Sequence, residues 1–218
     1  FADTYNWRDG VGSAEERASI LNFWGNALED NSFGTHEFLD LCEQIGCEPY
    51  IAGNVGSGTP REMRDWIEYL TSDSESTLAN KRRKNGREKA WGIPFWGIGN
   101  ENWGCGGHMT PEYYADLYCQ FQNFIRNYSD TPMMKIAAGY GGSDTKGEDL
   151  EKFMSAITNR RFPVTTDGVS VHFYVYMRHK DEYTATKYSE EQWYPVVKFA
   201  RDIEETIQKN NAVLDKYD

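Results

Sequence analysis

One carboxylate stands where a reaction would need it. Glu101, with Asn100 before it, follows directly on the apolar run Pro94-Phe95-Trp96-Gly97-Ile98-Gly99. An acid at the rim of an apolar core is partly desolvated, which raises its pKa toward the value a general acid needs at neutral pH. The same place would suit a carboxylate that caps or ion-pairs a loop, and spacing alone does not separate the two. Asn100 adds an amide that can hydrogen-bond a hydroxyl without adding charge. Trp7, Trp103, His172 and Tyr174 supply aromatic faces and polar tips, and Asn54 a further amide. Sugar rings present apolar C–H faces to Trp and Tyr while their hydroxyls take amide, imidazole and carboxylate partners. Any one of these aromatics could equally belong to the core; their gathering near the same loops points to carbohydrate.

Glycoside hydrolysis uses two carboxylates, about 5 Å apart for retention or about 6.5 to 9.5 Å apart for inversion. Glu101 is the one acid found at a strand end. Glu15, Glu16, Glu29 and Asp30 fall in loops or helices, and Glu190 and Glu191 in a helix cap. The second catalytic acid is therefore expected outside these residues.

The elements that must position these groups are legible as periodicity. Phe38, Leu41, Cys42 and Ile45 follow helical spacing and stop at Gly46. Thr59-Pro60-Arg61-Glu62 reads as a capping box with proline in the first turn, ahead of Met63, Trp66, Ile67 and Leu70. Thr110-Pro111-Glu112 opens a third helix through Phe124, and Leu150, Phe153, Met154 and Ile157 mark a fourth. Ser189-Glu190-Glu191-Gln192 starts a last, longer helix carrying Trp193 through Ile207, and each apolar stripe is expected to be core packing. Between them, 48–53, 94–99, 134–138 and 168–174 read as short strands buried on both faces of a parallel sheet. A helix followed by four strand-helix units is an α/β protein. In such folds ligands meet the carboxyl ends of the strands. Those ends carry Asn54, then Asn100 to Trp103, then Tyr140-Gly141-Gly142, then His172, Tyr174 and Tyr176.

Composition excludes other classes. The formal net charge of −11 over 218 residues disfavours nucleic-acid binding, which needs a basic face. No apolar run reaches the roughly 18 residues of a membrane span. The basic run 81–87 reads as a solvated helix end with its turn. Four cysteines are too few for a disulfide scaffold, and Cys105 with His108 lacks a second ligand pair at zinc spacing, so neither metal nor cofactor is expected. Signatures of metalloproteases, serine hydrolases and phosphate-binding loops are missing.

Several stretches together resemble one family. Tyr5-Asn6-Trp7-Arg8-Asp9-Gly10-Val11-Gly12, Asn31 to Phe38, Ala52 to Gly58, Arg82 to Arg87, Trp96 to Trp103 and Ser170-Val171-His172-Phe173-Tyr174 are similar to the α-L-arabinofuranosidases of glycoside hydrolase family 51. The resemblance implies a (β/α)8 TIM barrel, of which residues 1–218 would supply strands 3 to 6 as a partial catalytic domain, without the family's β-sandwich. It implies a retaining hydrolase that removes terminal α-L-arabinofuranosyl groups from arabinan or arabinoxylan. Glu101 falls on the acid/base, Asn100 on the residue that binds the hydroxyl beside the anomeric carbon, His172 and Tyr174 on contacts to sugar and nucleophile, and Trp7 on a pocket wall. The nucleophile, in an Asp-Glu-Trp element of the seventh strand, would lie beyond Asp218. The chain alone is then expected to be inactive and prone to aggregate through its open strand edges.

The expected partner is an arabinose-containing oligo- or polysaccharide. Compartment and oligomeric state stay open, a homo-oligomer of the full-length enzyme included. Two other readings stand beside this one: a related barrel endoglucanase or xylanase acting on a β-linked backbone, and a non-catalytic carbohydrate-binding protein.

Overall fold

The computed structural model describes residues 2–140, 144, 147–175 and 186–217. Three 3-10 turns, Ala2–Thr4, Trp7–Gly10 and Ala14–Glu16, lead into an antiparallel pair, β1 (Ile20–Leu21) and β2 (Leu28–Glu29). There follow α1 (Thr35–Ile45), β3 (Tyr50–Gly53), α2 (Pro60–Thr71), α3 (Thr77–Lys84), β4 (Phe95–Ile98), α4 (Pro111–Phe124), β5 (Met134–Ala137), α5 (Glu148–Thr158), β6 (Gly168–Val169), α6 (Glu190–Ala200) and α7 (Ile203–Leu214). Strands β3, β4, β5 and β6 form one parallel sheet in chain order. Sequential parallel strands with helical crossovers make this an α/β fold, as the alternating pattern required.

The helix signals act as chemistry dictates. The Thr59 side chain accepts from the Glu62 amide, and Glu62 Oε2 accepts from the Thr59 amide at 2.8 Å, closing the capping box of α2. Gly46, at φ 69°, ends α1 in the left-handed region where a side chain would be strained.

Register shows which face is buried. Ile51 pairs with Trp96 and Trp96 in turn with Lys135, while Gly53 pairs with Ile98 and Ile98 with Ala137. Ile51, Trp96, Ile98 and Ala137 are buried in one core with Trp66, Ile67, Leu70, Tyr114, Tyr118 and Phe153 from α2, α4 and α5. The alternate rows, headed by Tyr50, Phe95 and Met134, lie on the other face, where Tyr50 is 43% exposed and Met134 42%. Burial on both faces was expected; among the described residues only the helix-packed face is fully covered, because all three helices lie on one side.

Three other expectations change. Only Gly168–Val169 of the fourth run pairs as strand. The Ala138 amide donates to Tyr114 Oη at 2.7 Å and the Gly139 amide to Ser170 Oγ at 3.3 Å, so the continuation of β5 spends its donors on side chains. Tyr114 in turn donates to the Ile98 carbonyl at 2.6 Å, so one buried phenol from α4 stands between β4 and β5 where they part. The last helix is two helices: the Arg201 and Asp202 amides bond three residues back, tightening and ending α6 before α7 begins. No residue of α6 is buried, and Trp193 and Val197 are exposed rather than packed.

The basic run is the third. It forms α3 and the turn after it, and Arg82 within it is fully buried. Its guanidinium donates to the carbonyls of Tyr69 (3.1 Å), Ser72 (2.5 Å), Arg87 (3.3 Å) and Glu88 (3.0 Å) and to Asp73 Oδ1 (2.7 Å). A planar fork of five N–H groups suits a nest of carbonyls at a helix-helix junction. A charge run read by composition alone hides such a residue.

Candidate active site

The site is built on the segment that leaves β4. Gly99 has φ 92° and Glu101 φ 43°, so the chain turns sharply once it clears the sheet. A non-glycine residue in the left-handed region costs about 1 kcal/mol and persists where its surroundings hold it. Here the Glu101 carbonyl accepts from the amides of Gly104 (2.8 Å) and Gly106 (2.9 Å), and Met109 N bonds back to the Asn102 carbonyl at 2.8 Å. Gly106 permits this closure: a Cβ there would press on the Asn100 carbonyl and come within 2.9 Å of the Glu101 carbonyl.

The closed loop and the segment after β6 meet on one carboxylate. Glu101 Oε1 lies 2.7 Å from His172 Nδ1, and Oε2 accepts from the Cys105 thiol at 3.0 Å. Tyr174 also hydrogen-bonds Glu101. Trp103 meets His172 edge-on, with ring centroids 6.2 Å apart, and its indole N–H donates to the Gly139 carbonyl at 3.0 Å. Tyr174 is 60% exposed and Glu101 largely enclosed, its side chain 14% accessible, so the group opens to solvent on the Tyr174 side.

The direction of the Glu101 pKa differs from the expectation. Burial pushes it up, but the Cys105 thiol, His172 and Tyr174 all stabilise the ionised form, and the net shift is downward. Desolvation was legible from the apolar run; the donors that outweigh it come from a turn and from another strand end. Burial and the neighbouring carboxylate push the Cys105 thiol up to about 11, so it remains a donor at ordinary pH.

Asn100 joins the group from the other side, its Nδ2 donating to Asp3 Oδ2 at 3.4 Å. Asp3 is buried, with Oδ1 unpartnered, and burial raises its pKa despite the Asn100 hydrogen bond. Asp3 and Cys105 were missed as members of this site. Cys105 had a usable signal, a thiol four residues after the acid in a glycine-rich turn; Asp3 had none, because its contact spans almost half the chain.

Two expected site residues are elsewhere. Trp7 is 3% exposed, its ring stacks on Trp66 at 6.4 Å, and its indole donates to the Glu62 carbonyl. Asn54 donates to the Tyr5 carbonyl and accepts from the amides of Ser57 and Gly58, so it braces its own loop. Both line a cavity of about 80 Å³ that includes none of Glu101, His172 and Trp103, smaller than the roughly 300 Å³ at which ligand pockets begin. Tyr176, Gly141 and Gly142 lie outside the described residues. Among the described residues no cluster of three His, Cys, Asp or Glu side chains could hold a metal, and no helix is long and apolar enough to cross a membrane.

Residues 1–193 match the family described as α-L-arabinofuranosidase 1 domain. The chain belongs to glycoside hydrolase family 51, the α-L-arabinofuranosidases. An intracellular exo-α-L-arabinofuranosidase of Bacteroides ovatus is 46% identical over 100% of this chain and 41% of its own length. The crystal structure of the GH51 arabinofuranosidase from Xanthomonas axonopodis pv. citri superposes with a TM-score of 0.87 at 40% identity, over 100% of this chain and 43% of that one. An α-L-arabinofuranosidase from Thermotoga maritima in complex with arabinose gives 0.79 at 28% identity, covering 99% and 40%. The chain thus spans about two fifths of the length of such relatives. Their names favour neither the β-linked-backbone hydrolase nor the non-catalytic binding protein.

Proposed function

We propose that residues 1–218 supply the acid/base part of a retaining exo-α-L-arabinofuranosidase, as strands 3 to 6 of a (β/α)8 barrel whose full set of elements is larger than this chain. The observation that carries this is Glu101 at the carboxyl end of β4, enclosed and held through both oxygens by Cys105 and His172. Glu101 protonates the glycosidic oxygen as a second carboxylate attacks the anomeric carbon, then takes a proton from the water that hydrolyses the glycosyl-enzyme. Asn100 binds the hydroxyl beside the anomeric carbon, with Asp3 fixing its amide. Tyr174, at the open side, contacts sugar, and Trp103 braces His172.

The nucleophile is assigned to sequence beyond residue 218. Asp3, the other acid that senses Glu101, suits it poorly, because it is buried and its pKa is raised. A nucleophilic carboxylate placed about 5 Å from Glu101 also answers the low Glu101 pKa. Its charge raises the pKa for the acid step, and its neutralisation in the covalent intermediate lets the donors lower it again for the base step.

The test is Glu101→Gln in the complete natural chain. Hydrolysis of a natural arabinofuranosyl linkage should fall about 10²- to 10⁴-fold, while an aryl arabinofuranoside with an activated leaving group loses far less in the first step. Near-normal release of arabinose from arabinan by this variant would overturn the assignment.

A further inference from the structure

We propose that Cys105 is a positioning residue for the acid/base: its S–H···Oε2 hydrogen bond fixes the orientation from which the Glu101 carboxyl exchanges its proton with the glycosidic oxygen. This rests on the role of Glu101 proposed above and goes beyond it, since the acid and the residue that aims it are separate claims.

The geometry comes from the backbone. Glu101 and Cys105 are four residues apart on one closed turn, whose Gly104 and Gly106 amides both bond the Glu101 carbonyl. The turn therefore folds onto the main chain of the residue whose side chain it also holds. Close approach of Gly106 to the Asn100 and Glu101 carbonyls leaves no room for a Cβ, so the path of the turn is fixed and the thiol of the preceding residue returns to Oε2 at 3.0 Å.

Chemistry explains why the donor has to be singled out. A carboxylate rotates about its last bond unless both oxygens are held. His172 Nδ1 holds Oε1 at 2.7 Å and Cys105 holds Oε2, so the two together set the plane. A thiol is a weak donor that carries no charge at working pH, because burial and Glu101 keep it protonated. It can orient the acid without the permanent opposing charge of a lysine, which would make protonation far harder. The titratable groups that face Glu101 are Cys105 from its own turn, His172 and Tyr174 from the segment after β6, and Asp3 from the first turn of the chain.

The experiment uses the complete natural chain with Cys105→Ala, Cys105→Ser and Glu101→Gln. Profiles of kcat/KM against pH are measured on an aryl arabinofuranoside with a poor leaving group and on one with an activated leaving group. Cys105→Ala should lose about tenfold on the poor leaving group and less than about twofold on the activated one, because only the first needs protonation. Loss of the donor favours the protonated acid, so the basic limb should move to higher pH. Cys105→Ser keeps an O–H donor and should recover most of the rate and return the limb toward wild type. An unmoved limb in Cys105→Ala, equal losses on both substrates, or a serine no better than alanine would each overturn the proposal.

An infrared readout does not depend on how the cysteine variants fold. The Cys105 S–H stretch, low when bonded to a carboxylate, should rise in Glu101→Gln; a band indifferent to that change also overturns it. Collapse of turnover in Glu101→Gln with no effect at Cys105 leaves the acid/base reading intact and removes only this inference. Retained turnover in Glu101→Gln removes the reading itself.

Discussion

The segments after β3 and after β4 leave neighbouring strands at the same end of the sheet, and both are rich in glycine and asparagine. They use those residues in opposite ways. After β3 and around the helices that follow it, polar side chains are consumed by the scaffold: Asn54 closes its own turn, Arg82 of α3 gathers carbonyls from α2 and its flanks, and Trp7, from the first turns of the chain, buries its ring against Trp66 and gives its N–H to a carbonyl of α2. After β4, backbone bonds do most of the closing, with Asn102 Nδ2 adding one bond to the Gly106 carbonyl, and the Cys105 and His172 side chains converge on one carboxylate. Residue type near a strand end thus says little about role. What decides is whether the backbone of the loop is already satisfied.

Substitutions can break or sharpen this contrast, and the largest effect on stability should come from the scaffold side. Arg82→Met removes five hydrogen bonds and leaves buried carbonyls without partners, so it should cost about 3–5 kcal/mol, read as a lower urea midpoint. A cost near that of an exposed ion pair would show that those carbonyls find water instead.

Next in size is a matched pair of glycines. A Cβ on Gly106 would collide with the Asn100 carbonyl, and one on Gly58 would lie 2.5 Å from the Asn54 carbonyl. Both alanine variants should lose about 1–3 kcal/mol as their loops shift. Only Gly106→Ala should also lose about 10- to 100-fold in kcat on an unactivated substrate, because its loop carries the thiol that holds Glu101. Equal kinetic losses at the two positions would erase the distinction between the loops.

Smallest is Asn54→Ala, expected to cost about 1 kcal/mol for the lost turn bonds and to leave KM within about twofold. A large rise in KM would return Asn54 to the candidate site in which its place at a strand end first put it.

Much of the fold was legible because the signals were local. Thr59, Pro60 and Glu62 announced α2, Gly46 ended α1, and the first three apolar runs marked their strands to within a residue or two. Glu101 and Asn100 were legible because they follow such a run directly. His172 was found at its own strand end, but its contact with Glu101 joins residues 71 apart, which no spacing rule reports. Asp3 escaped for the same reason, and the lowered Glu101 pKa escaped in part for it, since His172 and Tyr174 add to the nearby Cys105 thiol. Arg82 escaped because four consecutive basic residues, 81–84, look alike until packing chooses one of them to bury. The split between α6 and α7 was hidden by an apolar period that continues across Arg201 and Asp202.

Tyr114 carries a consequence for how such a site can change. Its hydroxyl completes one strand's carbonyl and the next strand's amide at the point where the two diverge. A phenylalanine there would strand both groups in a dry interior, so the gap between the strands has a fixed width as long as the phenol stays. The aperture of the site is therefore governed from the helix layer, by a side chain that lies behind the sheet. Selection for a wider or narrower substrate would have to act on α4 as well as on the residues around Glu101.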